Sequence, residues 1–408
     1  MPFPDSTKKA PNVFFEVFDS TGSPSKEGFV PAGPTIINPV PVPPPPPPTI
    51  YNARWFDPPT QNTSPVTLSN PTDVEVLFPP PPPQLDLFLS VAPWNGIGSS
   101  DGLYEMYSAN NGALWNSGST PSPLDGVWAD ICWSSDLGVA VAISAGNNSG
   151  GAVQVMRSTD GINFSPEFLP AGGQNIWWQQ VRWAPTLGLF CACSSGTTGS
   201  GGGSTDRIAT SPDGITWTIQ TCPAVDRTWK GMCWSPDLGL FVVIADSGGT
   251  TDRIMTSPDG VNWTLGNFGV ISNWRHVDWS PGLSLFCAIS LDGIVVTSPD
   301  GVNWTQTATL ANNFWLDLIW VPFLSIFVAG SYLGSPNTIY TSPDGTAWTP
   351  RGGGSHGWQR FASNGTTVVG VFQDGPNHVV TSTNGIIWTP VASEATDRSW
   401  AGICWAGL

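Results

Sequence analysis

Apolar residues along this chain recur in two textures, and the two alternate. One is a nearly unbroken apolar run, such as Leu240-Phe-Val-Val-Ile-Ala245. A run of that length between turn residues predicts a strand buried on both faces. The other is an alternation of apolar and polar positions, as in Arg253-Ile-Met-Thr256 and Val261-Asn-Trp-Thr264, which predicts half-buried strands. Clusters of Ser, Pro, Asp and Gly separate them and predict tight turns.

These textures belong to two motifs that repeat in register. Thr210-Ser-Pro-Asp-Gly-Ile-Thr-Trp217 recurs at Thr256–Trp263, Thr297–Trp304 and Thr341–Trp348, with weaker copies at Ser108–Trp115, Arg157–Phe164 and Thr381–Trp388. The glycines of the seven copies (112, 161, 214, 260, 301, 345 and 385) are spaced by 49, 53, 46, 41, 44 and 40 residues, the length of a four-stranded propeller blade. The second motif, Trp229-Lys-Gly-Met-Cys-Trp234 running on to Phe241, recurs from Trp128, Trp178, Trp274 and Trp315. Trp358 opens a degenerate copy and Trp400 a truncated one. In Ser-Pro-Asp-Gly, Pro presets φ, Asp suits the third turn position, and Gly takes the left-handed conformation of a type I turn with a G1 bulge. Each motif is therefore a hairpin, and a repeat contains strands A to D.

The expected fold is all-β: a seven-bladed β-propeller over residues 85–408. The last copy, Trp400–Leu408, stops after strand A. Its missing partner is found at Leu85-Asp-Leu-Phe-Leu-Ser-Val-Ala92, followed by strand C near Leu103–Ser108 and strand D at Leu114–Trp115. This 3+1 closure removes the open sheet edges that invite aggregation. In an antiparallel blade the A–B and C–D turns share one face, and the B–C and D–A connections share the other. The first set is short and uniform. The second varies, so binding is expected there. Trp94, Trp177, Phe268, Tyr332 and His356 are the candidate contacts, since aromatic side chains in such loops suit glycan or protein recognition.

Residues 1–84 carry no repeat. Residues 1–40 read as an anchoring segment containing the apolar stretch Asn12–Phe18. Residues 41–84 read as an extended linker with six consecutive prolines ending at Pro48, a second run at Pro79–Pro83, and short β-type stretches at Thr49–Tyr51 and Asp73–Phe78. The proline runs predict stiff polyproline II. An arm with no core of its own is expected to dock on a larger assembly.

Composition narrows the chemistry. The chain is 40% hydrophobic, only 11% charged, and holds 22 Trp. Its net charge of −16, without a basic stripe, argues against nucleic-acid binding. No apolar run approaches membrane-spanning length. The first residues, Met1–Lys9, lack the apolar centre of a signal peptide, so synthesis in a cytoplasm is expected. The seven Cys have no metal-site or small-scaffold spacing and read as buried thiols. His276, His356 and His378 fall in three different blades, so no metal site is expected, and no cofactor.

The Thr-Ser-Pro-Asp-Gly-x-x-Trp-Thr hairpin resembles the Asp-box (BNR) repeat of sialidase-like propellers. Asp213, Asp259, Asp300 and Asp344 stand directly before Gly, one place later than in the family. This form looks like a variant found in propellers of phage virion and bacterial surface proteins. The resemblance covers residues 85–408 and carries over no catalytic residue, because Asp-box residues are structural in the family. Sialidase-type chemistry would need an arginine triad and a Tyr–Glu pair. Tyr104, Glu105 and Met106 alternate across a strand, and Arg207, Arg227, Arg253 and Arg398 each follow an Asp, which suggests surface Asp–Arg pairing. The expected function is thus a non-enzymatic, multi-copy bacteriophage virion component: a fibre, decoration or tail-tip subunit. Its arm (residues 1–84) would bind other virion proteins and its propeller a host glycan or protein. The alternative is a glycan hydrolase on a degenerate propeller.

Overall fold

In the computed structural model the chain divides into two compact units, Met1–Pro81 and Pro82–Leu408. The structure describes residues 84–92, 105–118, 126–147, 153–170, 176–197, 206–223, 227–247, 253–311, 314–332, 338–352, 358–372, 379–392 and 400–407, together with four strands of the first unit. Those four form one antiparallel sheet in the order Pro24–Pro31, Asn12–Phe18, Tyr51–Arg54, Val66–Leu68. Glu16 pairs with Arg54 and Val17 with Ala53, so the sheet joins sequence from both sides of residue 40. Both proline runs and Asp73–Phe78 lie outside the described residues.

The second unit is a seven-bladed β-propeller. Each blade is a four-stranded antiparallel sheet. We number the blades I to VII by their innermost strands: Gly126–Ser134, Ile176–Ala184, Trp229–Ser235, Trp274–Ser280, Trp315–Val321, Trp358–Ser363 and Gly402–Ala406. Blade III is typical. From the axis outward it runs Trp229–Ser235, Leu240–Ala245, Ile254–Ser257, Thr264–Gly266. The innermost strands touch one another in a closed cycle, VII against I included.

Closure follows the expected pattern. Gly402–Ala406 pairs with Leu87–Val91, with Cys404 opposite Leu89, and Glu105–Ser108 and Asn116–Ser117 complete the blade. The backbone N–H groups of Leu85 and Asp86 both donate to Ala406 O, at 3.1 and 2.8 Å. The outer strand begins at Asn116, later than expected, because Trp115 is drawn into the core and its indole N–H donates to Gly112 O at 2.9 Å.

The Ser-Pro-Asp-Gly turns are held twice, by their own polar atoms and by the blade before them. At Ser211–Trp217, Gly214 N–H donates to Ser211 Oγ (2.9 Å), and Ser211 Oγ–H donates to Asp213 Oδ1 (3.0 Å). That carboxylate also accepts from Ile215 N (2.8 Å) and Thr216 N (2.7 Å), and Trp217 Nε1 donates to Gly214 O (3.1 Å). The same network recurs around Asp300, where the Asn303 backbone N–H leads the hydrogen bonds that hold the carboxyl well below the usual range. Gly214 sits at φ +77°, and a Cβ there would lie 2.7 Å from Val141 of blade I. Left-handed backbone and close approach both demand glycine.

Blades are glued by apolar seams, such as Val141 and Val155 of blade I with Trp178, Val181 and Phe190 of blade II. Polar latches add to them. Trp183 Nε1 donates to Asp136 Oδ2 of the preceding blade at 2.8 Å, and Trp279 Nε1 to Asp237 Oδ2 at 2.9 Å. At blade I the acceptor comes from the chain's entry into the propeller: Trp133 Nε1 donates to Gln84 Oε1 at 3.3 Å. Gln84 Nε2 also donates to Ser135 O, on the A–B turn of blade I. The polypeptide thus enters the propeller on the face of the short turns.

Candidate functional site

All seven blades contribute to one cavity of about 220 Å³ where the innermost strands begin. Blade I supplies Val127, Trp128, Ala129 and Ala145. Blades II to IV supply Gln179, Lys230 and Arg275, and blades V to VII supply Leu316, Arg360 and Ala401. The innermost strands start at the D–A connections, so the cavity opens on the variable face, opposite the entry of the chain at Gln84.

The repeat explains why these side chains meet. In blades I to VI the register slips just after the first motif Trp, as between Trp229 and Gly231 or Trp274 and His276. Such bulges re-aim side chains. The residue next to that Trp lines the cavity in six blades: Ala129, Gln179, Lys230, Arg275, Leu316 and Ala401. In the degenerate blade VI the lining residue is Arg360, one place further on.

Three of these side chains are cations. Lys230 Nζ donates to Gln179 Oε1 at 2.8 Å. Arg275 Nη1 lies 3.0 Å from Asp246 Oδ2, and its Nε is buried with no acceptor among the described residues. Arg360 Nη1 donates to Leu316 O at 3.3 Å. Burial, and after it the Arg275 charge, push Lys230 down to about 8, with Asp246 opposing the shift and Arg360 adding to it. An anion entering this semi-enclosed pocket would offset the repulsion that Lys230 meets there.

Beneath the mouth lies a second polar layer. Asp130 Oδ2 accepts from Val181 N (3.1 Å) and from Arg182 Nη1 (2.6 Å), tying blade I to blade II. Gln180 Oε1 accepts from Met232 N, and Asp317 Oδ2 from Phe361 N at 2.7 Å, tying II to III and V to VI. His276 Nδ1 donates to Leu318 O at 2.7 Å, which leaves the lone pair on Nε2, 3.2 Å from Asp317 Oδ1. Burial pushes Asp317 up to about 7, against the pull of Arg360. Burial and the nearby Arg360 and Arg182 hold His276 well below its ordinary range. Both shifts work against an ion pair between the two, and each faces a guanidinium as well: Arg182 Nη2 lies 3.5 Å from His276 Nε2, and Arg360 Nη1 lies 3.7 Å from Asp317 Oδ1. These groups rivet adjacent blades and stand behind the cavity lining.

The candidate contacts fare differently. Trp177 and Tyr332 are exposed on the variable face. Phe268 is not a surface contact: it is 3% exposed and packs on Trp274 (4.2 Å between ring centres) and edge-on to Trp304 (4.9 Å). Its loop folds back into the seam between blades III and IV, where an aromatic ring is worth more buried than displayed. Trp94 and His356 lie outside the described residues. The surface position expected for Arg227 and Arg253 is also corrected, while the side chain of Arg207 and the whole of Arg398 lie outside the described residues. Arg253 is buried and donates to the carbonyl oxygens of Asp246 (2.9 Å) and Ser272 (2.6 Å), and Arg227 is buried as well. Glu105 is buried. All seven cysteines are unpaired, and six are fully buried.

The cationic mouth was not among the expected contacts. Its signal was the pair of positions after the first motif Trp, which vary from blade to blade (Ala129-Asp130, Lys230-Gly231, Arg275-His276, Gln359-Arg360) while that Trp repeats. Lys230 is the one lysine beyond residue 26.

No family model matches the chain, and no curated protein matches it. Solved structures match at the level of the fold. A putative 6-phosphogluconolactonase from Bacteroides uniformis is 16% identical with a TM-score of 0.56, over 78% of this chain and 98% of that one. A second, from Bacteroides fragilis, is 13% identical with a TM-score of 0.56, over 78% and 97%. Virginiamycin B lyase from Staphylococcus aureus is 11% identical with a TM-score of 0.54, over 66% and 85%. Likeness at this distance concerns the fold and not the chemistry.

Proposed function

We propose that this protein is a non-enzymatic recognition module that captures an anionic group in the mouth of its propeller axis, and that its N-terminal segment anchors it in a larger assembly. The carrying observation is the convergence of Lys230, Arg275 and Arg360 on one cavity in a chain of net charge −16. In a chain of overall negative charge, a local cationic pocket selects an anionic group at contact. Among the described residues the cavity lining is cationic and apolar apart from Gln179, with Asp246 paired to Arg275.

The division of the chain into a separate unit, Met1–Pro81, ahead of the propeller supports the anchoring role. Together with the hairpin resemblance, it supports a virion fibre, decoration or tail-tip subunit as the setting. Calorimetric titration of the full chain with galacturonate and with inorganic phosphate tests the binding role. Uptake of the anion without release of reducing ends from acidic polysaccharides is expected. Release of reducing ends would favour the hydrolase. A truncation starting at Leu85 is expected to fold but not to enter particles, and its incorporation would remove the anchor.

A further inference from the structure

Two exposed aromatic residues flank the cationic mouth. Trp177 and Phe314 each stand two residues before a lining residue, Gln179 of blade II and Leu316 of blade V. The blades between them carry Lys230 and Arg275. Going round the mouth, the order is aromatic ring, lysine, arginine, aromatic ring.

Both ends of this strip are built in place. Ser195 Oγ donates to Trp177 O at 3.3 Å and accepts from Gln179 Nε2 at 3.0 Å, and Gln179 in turn accepts from Lys230. Trp177 is therefore tied through two side chains to a cavity cation. Phe314 O accepts from Tyr332 N at 2.9 Å, and Trp315 N–H donates to Leu291 O at 3.1 Å, so the backbone is fixed on both sides of the ring. Phe314 has φ +56° and is 45% exposed. A bulky side chain in left-handed backbone is costly, and such residues cluster where a site demands them. Trp177 is 48% exposed and Tyr332, beside Phe314, 38%. Exposed rings separated by charge do not form the contiguous apolar patch of a protein interface. They suit a ligand that alternates flat C–H faces with carboxylates.

We infer that the ligand is an acidic oligosaccharide laid across blades II to V, with sugar rings stacked on Trp177 and Phe314 and ring carboxylates on Lys230 and Arg275. This rests on the anion-capture reading above and adds the ligand class and two specificity residues. The test is calorimetric titration of the full chain with inorganic phosphate, galacturonate, its short oligomers and polyglutamate. Affinity is expected to rise from monomer to oligomer. Trp177→Ala and Phe314→Ala are expected to lower oligomer affinity by about three- to tenfold and to lower phosphate affinity much less, with Trp177→Phe and Phe314→Tyr restoring oligomer binding. Unchanged thermal unfolding separates these losses from misfolding. Equal affinity for monomer and oligomer, no effect of either substitution, or polyglutamate binding as tightly as the oligomer would overturn the inference while leaving anion capture intact. Failure to bind any anion would remove both.

Discussion

The two faces of the propeller are made of the same repeats and obey opposite rules. On the turn face every blade repeats one arrangement. Ser, Asp or Asn, and Gly close a hairpin, Trp (Phe164 in blade I) caps it, and the glycine rests on the preceding blade. On the opposite face, around the axis, the contribution changes from blade to blade: Ala129, Gln179, Lys230, Arg275, Leu316, Arg360 and Ala401. The contrast shows where the sequence is bound by geometry and where it is free to choose chemistry. A repeat position that never varies encodes the ring. A repeat position that varies from blade to blade is free to encode a site.

The sharpest way to break this contrast is to substitute on the constrained side. Gly385 sits at φ +69°, and a Cβ there would come within 2.6 Å of Ile326 of the neighbouring blade. Gly385→Val is expected to destabilise the propeller by about 3 kcal/mol or more through combined strain and overpacking. Chemical denaturation measures it. An equally bulky change on the free side, Ala129→Val, is expected to cost far less. Equal losses would erase the distinction between the faces.

This distinction also explains what could be read from the sequence. The blade number and the closing strands were legible because Ser-Pro-Asp-Gly and the paired tryptophans repeat for steric reasons that hold in every blade. The cationic mouth was not, because nothing within one repeat marks Lys230 as facing Arg275 and Arg360. Only ring closure brings residues from blades III, IV and VI onto one cavity. Phe268 was misjudged for a related reason. A loop aromatic looks like a contact until a neighbouring seam is present to receive it.

The free side should respond to pH where the constrained side does not. Lys230 is pushed down to about 8. Anion binding needs its protonated form, so affinity is expected to be full below that value and to fall as pH rises through it. Lys230→Arg is expected to keep affinity to higher pH, since guanidinium stays charged. Titrations in steps from pH 6 to pH 10 would show this. An affinity flat across that range would remove Lys230 from the site.

A smaller effect sharpens the constrained side. Trp183 and Trp279 donate to Asp136 and Asp237 of the preceding blades, but Trp234 Nε1 is buried with no acceptor among the described residues, because blade II has Thr186 at the matching turn position. Thr186→Asp is expected to supply it and to stabilise the fold by about 1 kcal/mol. A neutral or destabilising result would mean that these latches follow the fold and do not support it.

The most direct measurement of the account compares cations by position. Galacturonate is titrated into the full chain, into Lys230→Ala/Arg275→Ala, and into Arg351→Ala. Arg351 carries the same charge but lies beside the outer strand of blade V, where its Nε donates to Thr341 Oγ1. Losing the two axial cations is expected to weaken binding by about tenfold or more with thermal unfolding unchanged, and losing Arg351 is expected to leave affinity intact. Equal affinities in all three proteins would contradict an anion site at the propeller mouth.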